Sequence, residues 1–404
     1  MSVNLPVTSQ LAVVPGLACG AAEANIRYRD RLDVAVFTCA PGSVAGGVFT
    51  QNSYRAAPVL VAERHCGDVR GLVVNSGNAN AATGDEGLAD AIHMCELLAQ
   101  HLDSDPHDVL PFSTGVIGER LPMDRMAKGI EDAVTAASEE GWLDTAHAIM
   151  TTDTAPKGVS LSFDVQGSTI AATGIVKGSG MIRPDMATML AFLGTDAGFT
   201  VEVASQLAFD LAERSFNRLT IDGDTSTNDA FVVIGTNQSE LPLIEKVHSN
   251  AYRQLLFRLT PLVEELAMRT VRDGEGATKF VTVRVNGGRT ERECLDVAYT
   301  VAHSPLIKTA IFAGDPNWGR FCMAIGRAGI RDLDPNRVDL FLDDVCIARH
   351  GKIAPTYVEA AAAKVMASDE FTVDIRLGRG NATERVWTSD LSYDYVKINA
   401  EYRT

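Results

Sequence analysis

The 404-residue sequence predicts an α+β protein in which helices cover antiparallel sheets, and three observations carry that reading. Short β-rich segments alternate with Ala- and Leu-rich segments of helical periodicity. Glycine is frequent, at 34 residues, while aromatic residues make up only 6%. There is no internal repeat, low-complexity linker or charge block. Hydrophobic content of 46% and charged content of 22% are those of a globular chain without extended disorder. The length suffices for one large or two medium domains with a sizeable core.

Leu11–Ala22 is apolar, but no Lys or Arg precedes it and Pro15 and Gly16 interrupt it. It therefore reads as a strand and turn, not a signal peptide. Strands are predicted at Asp33–Thr38, Gly47–Phe49 and Leu72–Val74. A helix follows over Leu88–Leu102, where Ile92, Cys95, Leu98 and Leu102 recur at helical spacing and define one buried face. A second helix, Met123–Ala137, leads to strands Val159–Val165 and Thr169–Val176, joined by a hairpin at Gln166-Gly167. Next come a helix at Val203–Phe216, a strand at Ala230–Ile234 and a long helix over Ile244–Thr270, which Thr260-Pro261 is expected to break in two. Strands at Phe280–Val285, Val338–Leu342 and Phe371–Ile375, with a helix at Thr356–Met366, complete the series.

The net charge of −16 argues against nucleic-acid binding and against docking on anionic membranes, though a pocket can be locally positive. Seven cysteines are scattered without a CxxC pair, which suggests reduced thiols in a cytosolic protein. The histidines are isolated, and no spacing supports a metal site. No run approaches the ~18 apolar residues that a membrane span needs.

The most informative stretch is Lys177-Gly-Ser-Gly-Met-Ile-Arg-Pro-Asp-Met-Ala-Thr-Met-Leu-Ala-Phe192. It sets one hydroxyl nucleophile, Thr188, among small and apolar residues, eleven positions after a lysine. No His or Asp adjoins it to serve as a base. Such a threonine becomes reactive when a cut frees it as a chain N-terminus, because its own α-amine then takes the hydroxyl proton. An α-amine titrates near ~7.7–8.0, so about a tenth or more is free base at neutral pH. The Ala187–Thr188 bond is thus the candidate for self-cleavage. The other reading of the same residues is a buried strand whose Thr bonds a neighbouring carbonyl.

These residues resemble the autoprocessing segment of the ornithine acetyltransferases, also called glutamate N-acetyltransferases, of arginine biosynthesis. Further matches are Ala45-Gly-Gly-Val-Phe-Thr-Gln-Asn52, Arg55-Ala-Ala-Pro58, Asn75-Ser-Gly-Asn-Ala-Asn80, Ser113-Thr-Gly-Val-Ile-Gly118 and Met150-Thr-Thr-Asp-Thr-Ala-Pro-Lys157. Asp222-Gly-Asp-Thr-Ser-Thr-Asn-Asp229, Arg272-Asp-Gly-Glu-Gly-Ala-Thr-Lys279, Gly314-Asp-Pro-Asn-Trp-Gly-Arg320 and Asn399-Ala-Glu-Tyr-Arg-Thr404 extend them to the C-terminus. The first forty residues match weakly, and Ala82 and Arg183 depart from the pattern. The resemblance implies a helix–sheet–sheet–helix sandwich, similar to other N-terminal-nucleophile enzymes, with a second, smaller α+β lobe. It places the main domain at 1–280 and the lobe at 281–404, and divides the chain into 1–187 and 188–404 after processing.

Ser113-Thr114-Gly115 is a small polar turn after an apolar approach. A Thr hydroxyl and a Gly N–H can supply two donors to an oxyanion, each worth roughly 3–4 kcal/mol, or the segment can be an ordinary turn. The resemblance implies that Thr114 and Gly115 form the oxyanion hole. It further assigns Thr151, Lys177, Thr188, Glu275, Asn399 and Thr404 to substrate, with Lys177 pairing with the carboxylate of N-acetylornithine. Thr152 is an equally plausible neighbour of Thr151. Glu275 suits the δ-ammonium of ornithine but repels the side chain of glutamate. Asp222–Asp229 looks at first like a cation loop, yet Val233 stands where a calcium loop needs its Glu, so it reads as a rigid turn network.

The expected activity is ping-pong acetyl transfer from N2-acetyl-L-ornithine to L-glutamate through an acyl-threonine, without cofactor or metal. Acetyl-CoA stays open as a second acetyl donor. The expected partners are these small molecules and the two cleavage fragments, assembled as an α2β2 heterotetramer in the cytoplasm, with no nucleic acid and no membrane. The alternatives are a self-cleaving N-terminal-nucleophile hydrolase or aminopeptidase, and a non-catalytic binding protein on the same fold.

Overall fold

The computed structural model describes residues 2–183 and 189–401, and the chain divides into two compact units. One comprises Pro6–Asn217 with Asp224–Thr270, the other Met1–Leu5, Arg218–Gly223 and Val271–Thr404.

The first unit opens with β1 (Leu17–Ala22), β2 (Val34–Cys39), β3 (Val44–Phe49), α1 (Ala57–His65), β4 (Gly71–Asn78) and α2 (Gly84–Leu102). It continues through β5 (Val109–Val116), α3 (Met123–Thr135), α4 (Trp142–Ala148), β6 (Lys157–Val165), β7 (Ser168–Lys177), β8 (Leu190–Thr195) and α5 (Val201–Arg214). After β9 (Leu219–Thr220), which belongs to the other unit, come β10 (Ala230–Gly235) and α6 (Asn250–Arg272). Two sheets result, in the orders β1-β2-β4-β5 and β3-β10-β8-β7-β6.

Alternation along β2 explains the layering. Ala35 and Phe37 join the core between the sheets, whereas Val34 and Val36 pack in a second cluster with Met94, Leu98, Met126 and Ile130 of α2 and α3. Between the sheets, Phe37 and Phe112 each approach Phe192 at 5.1 Å, and Trp142 meets Phe37 edge-on at 5.8 Å. Each such ring stabilises the sandwich by about 1.5–3 kcal/mol through burial. On the far side, α5 covers β3 and β10, and Leu262 and Leu266 of α6 close on Gly174 of β7. This is the helix–sheet–sheet–helix arrangement expected.

Three expectations need correction. The sheets are mixed, not antiparallel: β4 pairs with β5 and β8 with β10 in parallel. Ile92 is 41% exposed, and the buried face of α2 runs instead through Ala91, Met94, Cys95, Leu98 and Ala99, one step round the helix. Pro261 lies inside an unbroken α6. The carbonyl a proline leaves unpaired belongs to the residue four before it, here Phe257, whose side chain is 71% exposed. That stretch of helix faces solvent, where an unpaired carbonyl is tolerated.

The second unit is built on β11 (Phe280–Gly288), α7 (Glu291–Ala302), α8 (Pro305–Ala313), α9 (Trp318–Gly326), β12 (Asp339–Leu342) and β13 (Val345–Arg349). It ends with β14 (Lys352–Ile353), α10 (Glu359–Met366), β15 (Glu370–Arg376), β16 (Ala382–Ser389) and α11 (Tyr393–Ala400). Its sheet runs β14-β13-β12-β15-β11-β16-β9. Val281, Val283 and Val285 of β11 share one core cluster with Val297 and Val301 of α7. The Thr290 hydroxyl starts α7 by accepting from the Glu293 N–H at 3.1 Å. Among the described residues no helix is long and apolar enough to cross a membrane.

Candidate active site

Thr114 and Gly115 stand at the end of β5, where the parallel pairing with β4 sets Gly115 against Gly77. Gly115 has φ +135°, and a Cβ there would lie 2.2 Å from the Gly77 carbonyl carbon. Only glycine allows the two backbones to approach so closely. The turn is pinned by buried side chains. The Asn228 amide donates to the Ser113 carbonyl at 2.8 Å and the Ala79 carbonyl at 2.6 Å. Ser113 Oγ donates to Asn75 Oδ1 at 2.6 Å, and Asn75 Nδ2 to the Asn78 carbonyl at 2.9 Å.

Lys177 is the last residue of β7 and pairs in register with Leu190 of β8. Its ammonium donates to Thr114 Oγ1 at 3.0 Å. Just beyond it, the Gly178 N–H donates to Asp153 Oδ1 at 2.6 Å. Lys157 Nζ meets the same oxygen at 2.5 Å, and the Thr151 N–H donates to Asp153 Oδ2 at 2.9 Å. The Asp153 and Lys157 side chains are both fully buried. Burial by itself raises the Asp153 pKa, but the Lys157 and Lys177 ammoniums and these hydrogen bonds outweigh it and hold the carboxyl well below its usual range. Thr152 Oγ1 and Ser179 Oγ lie 2.7 Å apart, tying the same two loops, so the Thr152 hydroxyl is engaged within the protein. Thr151 lines an open recess with Glu23, Arg31, His147 and Met150.

Ala187 and Thr188 lie outside the described residues. The chain after them is well placed by its neighbours: the Ala230 N–H donates to the Met189 carbonyl at 2.9 Å, and β8 then runs between β7 and β10. The strand that starts two residues after Thr188 is therefore flanked by the strand ending in Lys177 and the strand preceded by Asn228-Asp229. Asp229 is buried, and its Oδ2 has no hydrogen-bond partner among the described residues. Burial pushes its pKa well above the carboxylate range, against the pull of Ser226 and Lys177.

Glu275 and Asn399 come together within the second unit, the Asn399 amide donating to Glu275 Oε2 at 2.8 Å. The loop carrying Glu275 is held by Ser392 Oγ, which donates to the Gly276 carbonyl at 2.6 Å, and by Asp390, which accepts from the Thr278 N–H at 2.8 Å. Behind it the fully buried Lys308 ammonium contacts Thr388 Oγ1 at 3.1 Å; desolvation lowers its pKa to about 8, with Asp390 and Asp222 pulling it back up. Thr404 lies outside the described residues.

The structure thus gathers Thr114, Gly115, Thr151 and Lys177 in one unit, and Glu275 with Asn399 in the other. Sequence reasoning left out Asp153, Lys157, Asn228 and Asp229. All four stand inside the motifs that carried the resemblance, but only the fold shows that Asp153 and Lys157 pair without solvent.

The ArgJ family model matches residues 18–404. The arginine biosynthesis bifunctional proteins ArgJ of Pseudomonas syringae pv. tomato and Pseudomonas fluorescens are 52% and 51% identical to this chain, with full coverage of both partners in each case. Among solved structures, the arginine biosynthesis bifunctional protein ArgJ of Bacillus halodurans is 34% identical with a TM-score of 0.50, covering 53% of this chain and 99% of its own. An ornithine acetyltransferase from Mycobacterium tuberculosis, complexed with ornithine, is 32% identical with a TM-score of 0.38, over 44% of this chain and 96% of its own.

Proposed function

This chain belongs to the ArgJ family, and from that premise we propose that it transfers the acetyl group of N2-acetyl-L-ornithine to L-glutamate after cutting itself between Ala187 and Thr188. The observation that carries the reading is the Lys177–Thr114 contact at 3.0 Å, on the strand end adjoining β8. A cation polarises the hydroxyl of the oxyanion turn beside the strand that follows the nucleophile. The Bacillus halodurans chain gives further support, since its whole length covers about half of this one, as expected of one of two fragments.

In the cut, Thr188 Oγ attacks the Ala187 carbonyl carbon, the C–N bond breaks with a proton passing to nitrogen, and water hydrolyses the resulting ester. The freed α-amine then takes the Oγ proton as Thr188 attacks the acetyl carbonyl of acetylornithine. Thr114 Oγ1 and the Gly115 N–H donate to the oxyanion. The proton passes to the departing α-nitrogen, ornithine leaves, and the neutral amine of glutamate attacks the threonine ester to give N-acetyl-L-glutamate. Amide is exchanged for amide, so the reaction is close to thermoneutral. Thr151, Lys177, Glu275, Asn399 and Thr404 are assigned to substrate. No step calls on a metal or cofactor, and acetyl-CoA is a second donor to be assayed. The two fragments form an α2β2 assembly in the cytoplasm.

Intact mass spectrometry of the purified protein is expected to give two chains, 1–187 and 188–404, and Thr188→Ala a single uncut and inactive one. Two chains from the Ala variant would refute the assignment. Release of free acetate without N-acetylglutamate would convert the reading to a hydrolase.

A further inference from the structure

Three segments converge on the Asp153 carboxylate: the loop at Thr151, the first residue of β6 at Lys157, and the turn leaving β7 at Gly178. Resting on the acetyl-transfer reading above, we propose that Asp153 is a positioning residue of the oxyanion hole, acting through Gly178 and Lys177 on Thr114.

The bond from the Gly178 N–H fixes the plane of the Lys177–Gly178 peptide, and so the point from which the Lys177 side chain departs toward Thr114. An ammonium only donates. At 3.0 Å from Thr114 Oγ1 it occupies a lone pair of that oxygen and leaves the hydroxyl hydrogen for another acceptor, which is what an oxyanion donor requires. A neutral Lys177 amine would do the reverse: it would accept the Thr114 hydrogen and take the donor away. Asp153 sets a negative charge near the Lys177 ammonium, and Lys157 balances it so that the carboxylate is tolerated without water. The same carboxylate also orders the Thr151 amide, so the hole and the substrate loop are set by one group.

The test is a cycle on the full chain. Asp153→Asn with Lys157→Met removes both buried charges at nearly constant volume. Rates are counted per acetyl-enzyme formed, measured by mass spectrometry, so that unfolded molecules do not contribute. We expect kcat to fall at least about tenfold while KM for acetylornithine changes less than about threefold. Thr114→Ala should cost about 100-fold in the parent protein. In the Asn/Met background it should cost less than about threefold more, because the donor is already misdirected. The half-time of self-cleavage, which uses the same donors, is the second readout and should show the same non-additivity. Asp153→Asn alone repeats the cycle if the paired variant does not fold. Multiplicative losses, or an unchanged kcat, would show that Asp153 only supports the fold and would overturn the proposal. A parent protein that transfers no acetyl group would instead defeat the functional reading.

Discussion

Replacing Gly115 by alanine probes the proposed oxyanion turn through geometry alone. A Cβ at this position lies 2.2 Å from the Gly77 carbonyl carbon and 2.5 Å from the Asn78 nitrogen, where ordinary contact begins near 3.4 Å. Both atoms are backbone, so β5 must move off β4 by about 1 Å, carrying the residue 115 N–H with it. Misplacement of that size costs about 100-fold in rate. Overpacking adds about 1–3 kcal/mol of lost stability. Gly118→Ala is the control: it shares the positive backbone angle, at φ +88°, but meets nothing within 4 Å. Its cost should be confined to about 1 kcal/mol of backbone strain, with kcat within about threefold of the parent. The assay is steady-state acetyl transfer from acetylornithine to glutamate, with urea unfolding for stability. A Gly115→Ala enzyme with kcat within threefold of the parent, or a Gly118→Ala enzyme equally slow, would refute the reasoning.

Lys177→Met separates two roles for one ammonium. If Lys177 serves Thr114, kcat falls about 100-fold with KM nearly constant; a rise in KM alone would make it the anchor of the substrate carboxylate, as the family resemblance implies. Asp229→Asn should flatten the pH dependence of stability. The folded pKa of Asp229 is raised by burial above its unfolded value near ~3.9, so the folded state holds more protons and stability falls as pH rises from about 4 toward the folded pKa. The gain of the Asn variant over the parent in urea midpoint should therefore be larger at pH 8 than at pH 5, and parallel curves would place the ionised form in the fold.

Legibility in the sequence followed the strength of local pattern. The β6–β7 hairpin was readable because Gln166-Gly167 punctuates two alternating runs, and Gln166 does adopt φ +51°. The amphipathic helices α2, α3 and α5 were readable at their centres. The helices α7 and α8, the strand β16 and the terminal helix α11 were not anticipated. Val297, Ala298, Val301 and Ala302 in α7 mix β-branched residues with alanine, and α11 has no buried residue to generate a periodic stripe. In the site, Thr114 and Lys177 were named from their motifs, but the bond between them spans 63 positions in sequence and depends on sheet register. Asp153 was hidden for a related reason. A short acid among three threonines reads as a turn former until the fold shows Lys157 and Gly178 closing over it.

The charge balance of this cluster bears on how an acidic protein holds acidic substrates. The chain carries −16 overall, yet its substrates in the proposed reaction each bring carboxylates. Around the proposed oxyanion turn, Lys157 and Lys177 supply two positive charges and Asp153 one negative. Burial pushes the Asp229 pKa up and so disfavours a second negative charge there, while Asp153 is held ionised by its partners. With Asp229 neutral the cluster is positive by one charge, which favours an incoming carboxylate locally against the field of the surface. Were Asp229 ionised, the balance would fall to zero and Lys177 would be drawn toward it. Burying this acid just before β10 thus favours the Lys177–Thr114 contact at 3.0 Å, a consequence for the proposed reaction as well as for the fold.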